Sequence, residues 1–161
     1  IIITATPFKG NYYQWNAATA GTGGTITSSN ASGSVCPKGW KLPSSATSNT
    51  TIAKGTFAYL LQQYGLASAY NSGSVTGTSS VNSNTYNIAL SPLFFVRGGG
   101  IHPGTTDKFR VAGQSGYGWS SRALSSTSNA YYLYFSSSSV YPSDYSSRSV
   151  GRPLRCLIST P

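Results

Sequence analysis

The most informative segment of the sequence spans residues 129–156 and reads NAYYLYFSSSSVYPSDYSSRSVGRPLRC. Its first seven residues alternate as a strand does. Tyr131, Leu133 and Phe135 fall on one face, and we expect that face to cover the core. Tyr132 and Tyr134 fall on the other face, which we expect to point outward. The alternation therefore predicts a strand that separates a fixed inner set from an outer set of tyrosines.

Upstream of this strand, the clearest element is a helix over residues 56–64. Phe57, Leu60, Leu61 and Tyr64 are spaced i, i+3, i+4 and i+7, the pattern of an amphipathic helix. Thr56 is placed to cap its start, and Gly65 stands where a left-handed stop is expected.

The remaining segments predict short and irregular elements. Residues 12–18 read as a strand that runs into a short helix, and 93–96 and 152–158 read as strands. CPKGWKLPS, residues 36–44, excludes a regular helix, and we expect Trp40 and Leu42 to anchor it to the core. The Ser/Gly/Asn-rich residues 67–89 predict a long surface excursion. Helices early and short strands late predict one α+β domain over residues 1–161.

The scarcity of acids excludes most hydrolytic chemistry. Asp107 and Asp144 are the only acidic side chains among 161 residues. A glycosidase needs two carboxylates at one bond, two-metal sites need several, and calcium sites use two or more. We therefore expect no enzyme activity, no metal and no cofactor.

The net charge of +9 raises the question of nucleic-acid binding. The eleven Lys and Arg residues are spread from Lys9 to Arg155 with no run and no reader motif, which disfavours that partner. No apolar run in the sequence is long enough to span a bilayer.

The two cysteines, Cys36 and Cys156, lie 120 positions apart and form no CxxC motif. A single long-range disulfide fits the Ser/Thr/Asn-rich, secreted-looking composition, and two buried free thiols are the alternative.

The only histidine, His102, lies in GGGIHPG and has Asp107 as its one nearby acid. Neither a GxSxG elbow nor a phosphate-binding GK[ST] loop is present. We interpret His102 as a loop histidine satisfied by backbone groups rather than as a catalytic base.

The surface chemistry that remains is that of binding. Tyr offers a large contact area with few rotatable bonds, and Ser adds adaptable hydrogen bonding, which is the composition of paratopes. The alternative is that the tyrosines of 131–134 are strand aromatics over a core and that 136–139 form a hairpin loop.

Six short segments, taken in their order along the chain, resemble the Fibrobacter succinogenes major paralogous domain: YYQWNAATA, SVCPKGWKLPS, TFAYLLQQYG, GYGWSSR, AYYLYFSSSSVYP and SVGRPLRCL. The resemblance spans nearly the whole chain. It implies a bacterial surface or secreted module with a C-type lectin-like fold, related to formylglycine-generating enzymes. The chain lacks the calcium motifs of sugar-binding C-type lectins and the catalytic cysteines of formylglycine generation. The resemblance also makes Trp119 and the Cys36/Cys156 pair scaffold.

Residues 120–156 also resemble the variable region of proteins that retroelements diversify by mutating template adenines. Asn codons mutated in this way reach Ser, Tyr, Asp and Arg, but never Lys, Glu, Gln, Met or Trp, and residues 120–161 contain none of those five types. The resemblance implies a fixed scaffold at Ala130, Leu133, Phe135, Val140, Pro142, Arg148, Gly151, Pro153, Leu154, Arg155 and Cys156. It implies a ligand face at Ser125, Ser126, Ser128, Tyr132, Tyr134, Ser136, Ser139, Tyr141, Asp144, Tyr145, Ser146 and Ser149.

These expectations combine into an extracellular or cell-surface recognition domain of bacterial or phage origin. Its partner would be a protein or a glycan on another cell or surface. The alternative is a structural subunit or decoration of a surface fibre or phage particle, which would self-associate. The third hypothesis is a protein that binds nucleic acid.

Overall fold

The structure is a computed structural model that describes residues 11–23, 30–45, 53–64, 93–104, 106, 108–124, 128–137 and 139–158. Two helices and seven strands occur in these residues. In chain order they are α1 Trp15–Ala18, β1 Trp40–Lys41, α2 Phe57–Gln63, β2 Gly100–Ile101, β3 Phe109–Arg110, β4 Gly116–Ala123, β5 Asn129–Phe135, β6 Val140–Ser147 and β7 Leu157–Ile158. This content confirms the predicted α+β class.

The central sheet has three antiparallel strands in the order β4-β5-β6. Phe135 pairs with both Gly116 and Val140, and Tyr132 pairs with both Trp119 and Asp144. Between Tyr132 and Tyr134 the β5–β6 register shifts, so that two residues of β6 stand opposite one of β5. Pro142 lies in this bulge. A bulged residue is not paired in the ladder, so a proline, which has no N–H to donate, is tolerated there.

Each face of the central sheet carries its own hydrophobic cluster. Leu133 and Phe135 pack with Phe57 and Leu61 of α2 on one face. On the other face, β4 and β5 pack against α1 and the loop at Leu42, in a cluster of Trp15, Ala18, Leu42, Trp119, Ala123, Ala130, Tyr132 and Val150. The sheet is therefore covered on both sides over its middle.

The helix α2 forms where its spacing predicts, but Tyr64, the expected fourth member of its apolar face, caps its end and is 46% exposed. The Thr56 side chain accepts a hydrogen bond from the backbone N–H of Tyr59 at 3.1 Å, which confirms the N-cap. Phe57 and Leu61 are both fully buried. Gly65, the predicted stop, lies outside the described residues.

A disulfide links the N-terminal half of the chain to its end. Cys36 and Cys156 are bonded with their Cα atoms 5.9 Å apart, which settles the choice between a bridge and two free thiols. Next to it, β1 and β7 pair antiparallel. Of the strand predicted over 152–158 only Leu157–Ile158 forms, and it does not return to the core, since Ile158 is 64% exposed. The predicted strand-to-helix segment near residue 13 is also present, as a bridge from Tyr13 to Arg152 followed by α1.

Two local expectations are wrong. Residues 93–96 form no strand, because Phe94 has a positive φ of 46° that breaks the extended backbone, although Leu93 and Phe95 are buried. Trp40 does not anchor its loop to the core, since it lies at the rim in a two-residue strand and is 45% exposed. Leu42 does so instead at 2% exposed.

The predicted excursion over 67–89 lies outside the described residues. Across the parts of the chain that are described, no helix has the length and apolar character needed to cross a membrane.

Candidate recognition surface

The predicted ligand face divides by burial. Ser125 and Ser126 lie outside the described residues. Of the other ten positions, nine are at least partly exposed: Ser128, Tyr134, Ser136, Ser139, Tyr141, Asp144, Tyr145, Ser146 and Ser149. The tenth, Tyr132, is buried.

Tyr132 is the correction to the predicted outward set. It is 6% exposed, and its ring meets the Trp119 ring edge-on at 5.8 Å between centroids. The alternation of β5 is real, but α1 and the loop at Leu42 cover the face that was expected to be open at this position. Tyr132 is therefore a core residue.

Beyond Tyr132 the same face of the sheet opens to solvent. Tyr134 and Tyr141 are cross-strand partners whose rings stack with centroids 5.5 Å apart and planes 17° from parallel. Tyr117 is the partner of Tyr134 on the other side, at 5.6 Å. Directly paired residues of antiparallel strands share a face, so three phenol rings form one row across the sheet.

Two polar side chains of β6 lie on that face as well. Asp144 pairs with Tyr132 and accepts a 2.6 Å hydrogen bond from its hydroxyl through Oδ2. Ser146 pairs with Ala130. We call Tyr117, Tyr134, Tyr141, Asp144 and Ser146 the tyrosine patch. Tyr117 was not among the predicted positions; the alternation of GYGWSSR about Trp119 was the signal that could have placed it.

The other predicted positions do not join the tyrosine patch. Tyr145 is 42% exposed and pairs with Tyr131 on the opposite face, with ring centroids 6.2 Å apart. Ser136 and Ser139 close the turn between β5 and β6 by a 2.8 Å backbone hydrogen bond. Ser128 and Ser149 lie at the other end of these strands. The ten described positions of the predicted ligand face are thus spread over two faces and both ends of the hairpin.

Arg152 lies beneath the tyrosine patch and was not among the residues predicted from the sequence. It is 2% exposed, and its guanidinium carbon lies 3.6 Å from the Tyr132 ring centre and 4.2 Å from that of Tyr117. Its Nη2 donates to the Ser146 Oγ at 2.7 Å. Burial lowers the pKa of Arg152, while Tyr132, Tyr117 and Asp144 act in the opposite direction. A buried cation sandwiched by rings fixes those rings in place.

Burial is also the main cause that raises the pKa of Tyr132 far above its ordinary value, and the hydrogen bond to Asp144 adds to it. The Tyr132 hydroxyl thus stays protonated and donates to the carboxylate. Asp144 Oδ1 accepts a second hydrogen bond, of 2.8 Å, from the backbone N–H of Tyr145. The carboxylate that the patch presents is held by two donors.

Partial burial and the nearby Arg152 and Arg110 lower the pKa of His102, and Asp107, its expected partner, lies outside the described residues. Within the described ranges no group of three His, Cys, Asp or Glu side chains comes together as a metal site.

Comparisons with known proteins identify no relative: no family model, no curated protein and no solved structure matches the chain.

Proposed function

We propose that this protein is an extracellular recognition domain that binds its partner, a protein or glycan on another surface, through the tyrosine patch and the adjoining exposed Ser and Tyr positions. In this proposal the scaffold is C-type lectin-like, residues 120–156 are the variable region, and no bond is made or broken in the ligand.

One observation supports the proposal: on β5 and β6 the scaffold positions are buried, whereas most ligand-face positions are at least partly exposed. Six of the eleven scaffold positions are buried (Ala130, Leu133, Phe135, Val140, Pro142 and Gly151), and Arg148, Pro153, Leu154, Arg155 and Cys156 are at least partly exposed. Nine of the ten described ligand-face positions are at least partly exposed. Because substitutions at exposed positions usually change stability by little, the second set can vary while the first keeps the fold.

The geometry of the tyrosine patch adds a second support. Tyr134 and Tyr141 are held as a stacked pair, and Tyr117 rests on the buried Arg152. Rings fixed before binding lose little conformational entropy when a ligand docks, so a shallow surface of this kind can still give useful affinity.

A display library tests the division directly. Ser128, Tyr134, Ser136, Tyr141, Tyr145 and Ser149 are randomised to Ser, Tyr, Asp, Asn and Gly. We expect most members to fold, and selection on hen egg-white lysozyme as an arbitrary test protein to yield binders.

The matched control is a library of equal size at the buried positions Ala130, Leu133, Phe135 and Val140. We expect its members to be mostly unfolded, because polar groups would enter both hydrophobic clusters. Equal fractions of folded members in the two libraries would refute the division into scaffold and ligand face.

The DNA next to the gene gives an independent test of diversification. We expect a near-identical template repeat of residues 120–156 with Asn codons at the ligand-face positions, beside a reverse transcriptase gene. Their absence would remove the variable-region part of the proposal. Burial of the tyrosine patch against a second copy in solution would favour the structural subunit instead.

A further inference from the structure

A second concave site lies away from the tyrosine patch, between the disulfide-linked loop, the segment before α2 and the end of β4. Its volume is about 680 Å³, within the range of pockets that hold small ligands. Lys38, Lys41, Lys54 and Arg122 line it together with Trp40 and Asn30. None of the described residues that line it is acidic.

The cations in this pocket are concentrated well beyond their share. Four of the chain's eleven Lys and Arg residues line it. Charges of one sign that line a shared cleft give it a positive potential that attracts anions. Arg122 adds a guanidinium whose Nε is buried and has no hydrogen-bond acceptor among the described residues.

The walls of the pocket are held rigidly. Cys36 is tied to Cys156, and the Trp40 N–H closes a turn on the Pro37 carbonyl at 2.9 Å, which fixes the loop that carries Lys38 and Lys41. On the facing wall, the Ser44 N–H donates to the Gly55 carbonyl at 2.8 Å, beside Lys54.

Asn30 links this wall to β4. Its Oδ1 accepts hydrogen bonds from the Ser44 hydroxyl at 2.7 Å and from the Ser121 hydroxyl at 3.1 Å. The cations therefore stand on a frame that is already assembled before any ligand arrives.

Trp40 supplies the second half of the recognition chemistry. Its side chain is 45% exposed, which leaves a large apolar ring in contact with water, and it lines the pocket together with Lys38 and Lys41. A flat apolar ring beside positive charges is suited to a ligand with a flat apolar face and anionic substituents.

From this arrangement we propose that the pocket binds an acidic oligosaccharide, a chain of pyranose rings that carries carboxylate or sulfate groups. The C–H face of one ring stacks on Trp40, the anionic groups contact the lysines, and Arg122 donates to an oxygen at the pocket floor. The site is separate from the tyrosine patch, shares no residue with it and needs no calcium.

An acidic sugar fits the pocket better than a nucleic acid does. Single-stranded nucleic acids are bound along grooves with several aromatic rings for successive bases. Trp40 is the one aromatic residue among the described residues that line this pocket. One aromatic ring in a pocket that four cationic side chains line can stack with one or two sugar rings.

Isothermal titration calorimetry with four defined probes tests the proposal: a galacturonate hexamer for carboxylate, a heparin hexasaccharide for sulfate, maltohexaose as the neutral sugar and a thymidine hexanucleotide. We expect one or both acidic sugars to bind at least about tenfold more tightly than the neutral sugar, which corresponds to about 1.4 kcal/mol. The stronger of the two identifies the anionic group.

Two variants locate the site. Trp40→Ala should weaken binding of the acidic sugar about fivefold and Trp40→Phe should restore part of it. The triple variant Lys38→Gln, Lys41→Gln, Lys54→Gln should weaken it at least about tenfold.

The matched control, Arg97→Gln, Lys108→Gln, Arg110→Gln, removes the same three charges outside the pocket lining. It should stay within about twofold of the parent.

Each contrary result overturns the proposal. Equal loss in the two triple variants would mean unspecific attraction to a basic protein, and tighter binding of the thymidine hexanucleotide would mean a nucleic-acid site. Binding of neither acidic sugar would leave the pocket without this ligand class. The outcome is independent of the tyrosine patch, since Tyr134→Ala with Tyr141→Ala should leave the affinity for the acidic sugar unchanged.

Discussion

The guanidinium carbon of Arg152 lies 3.6 Å from the centre of the Tyr132 ring, and both residues are almost fully buried. This contact joins the C-terminal segment to the middle strand of the sheet. It also explains how a charged side chain remains inside a protein that has almost no acids: aromatic faces, rather than a carboxylate in direct contact, surround the cation. The rings of Tyr117 and Trp119 complete the enclosure.

Arg152→Ala should therefore destabilise the fold. The loss combines the desolvated cation–π contacts, the hydrogen bond to Ser146 and the cavity left among the rings, for a total of about 2–4 kcal/mol. Urea unfolding followed by Trp fluorescence measures it, with Arg97→Ala as the control at a partly exposed position. Arg152→Lys should fall between the parent and Arg152→Ala, because an ammonium cannot stack as a plane. Full stability of Arg152→Lys would show that a point charge suffices.

The tyrosines of β5 and β6 should differ in how much they contribute to stability. Tyr132→Ala removes a core ring and should lower the free energy of unfolding by about 3–5 kcal/mol. Tyr134→Ala loses ring contacts to Tyr117 and Tyr141, and Tyr141→Ala loses the one to Tyr134; we expect about 0.5–1.5 kcal/mol for each contact. Chemical denaturation of the three variants makes the comparison. A loss at Tyr134 as large as that at Tyr132 would place Tyr134 in the core and argue against the tyrosine patch as a binding surface.

The disulfide should contribute a large share of the stability. Its cysteines are 120 residues apart, and closing a loop of about 100 residues is worth about 4–5 kcal/mol in the unfolded-state model. Adding a reductant should shift the urea midpoint downward. The double variant Cys36→Ser, Cys156→Ser should match the reduced protein and ignore the reductant. A parent protein with the same midpoint in both conditions would contradict the expectation.

Stability should fall in alkali because of Tyr132. The pKa of its hydroxyl is raised in the folded state, mainly by burial, whereas in the unfolded chain it stays near about 10. The unfolded state therefore releases a proton that the folded state keeps, so the contribution is complete below pH about 10 and is lost as the pH rises above it. Tyr132→Phe should show a shallower decline in unfolding free energy from pH 9 to 11 than the parent. Parallel curves for the two proteins would rule out Tyr132 as the cause.

Local sequence patterns predicted several elements of the fold. The i, i+3, i+4, i+7 spacing with Thr56 at its start predicted α2, because helix caps and apolar faces are set by neighbours in the chain. The alternation of residues 131–135 predicted β5 and the buried face of Leu133 and Phe135 for the same reason. The prediction of a strand over residues 93–96 was wrong, because an apolar run does not reveal the positive φ at Phe94.

Local sequence patterns thus showed which residues share a face and that two cysteines could pair. What covers each face became known only from the packing of distant segments. Period two in a strand distinguishes two sides but does not say whether a second layer lies on either, because that layer comes from residues over a hundred positions away: Trp15 donates its indole N–H to the Ser120 carbonyl at 2.8 Å, across 105 positions. That distant packing made Tyr132 a core residue, left Tyr134 and Tyr141 half-buried, and brought Lys38, Lys54 and Arg122 to one pocket.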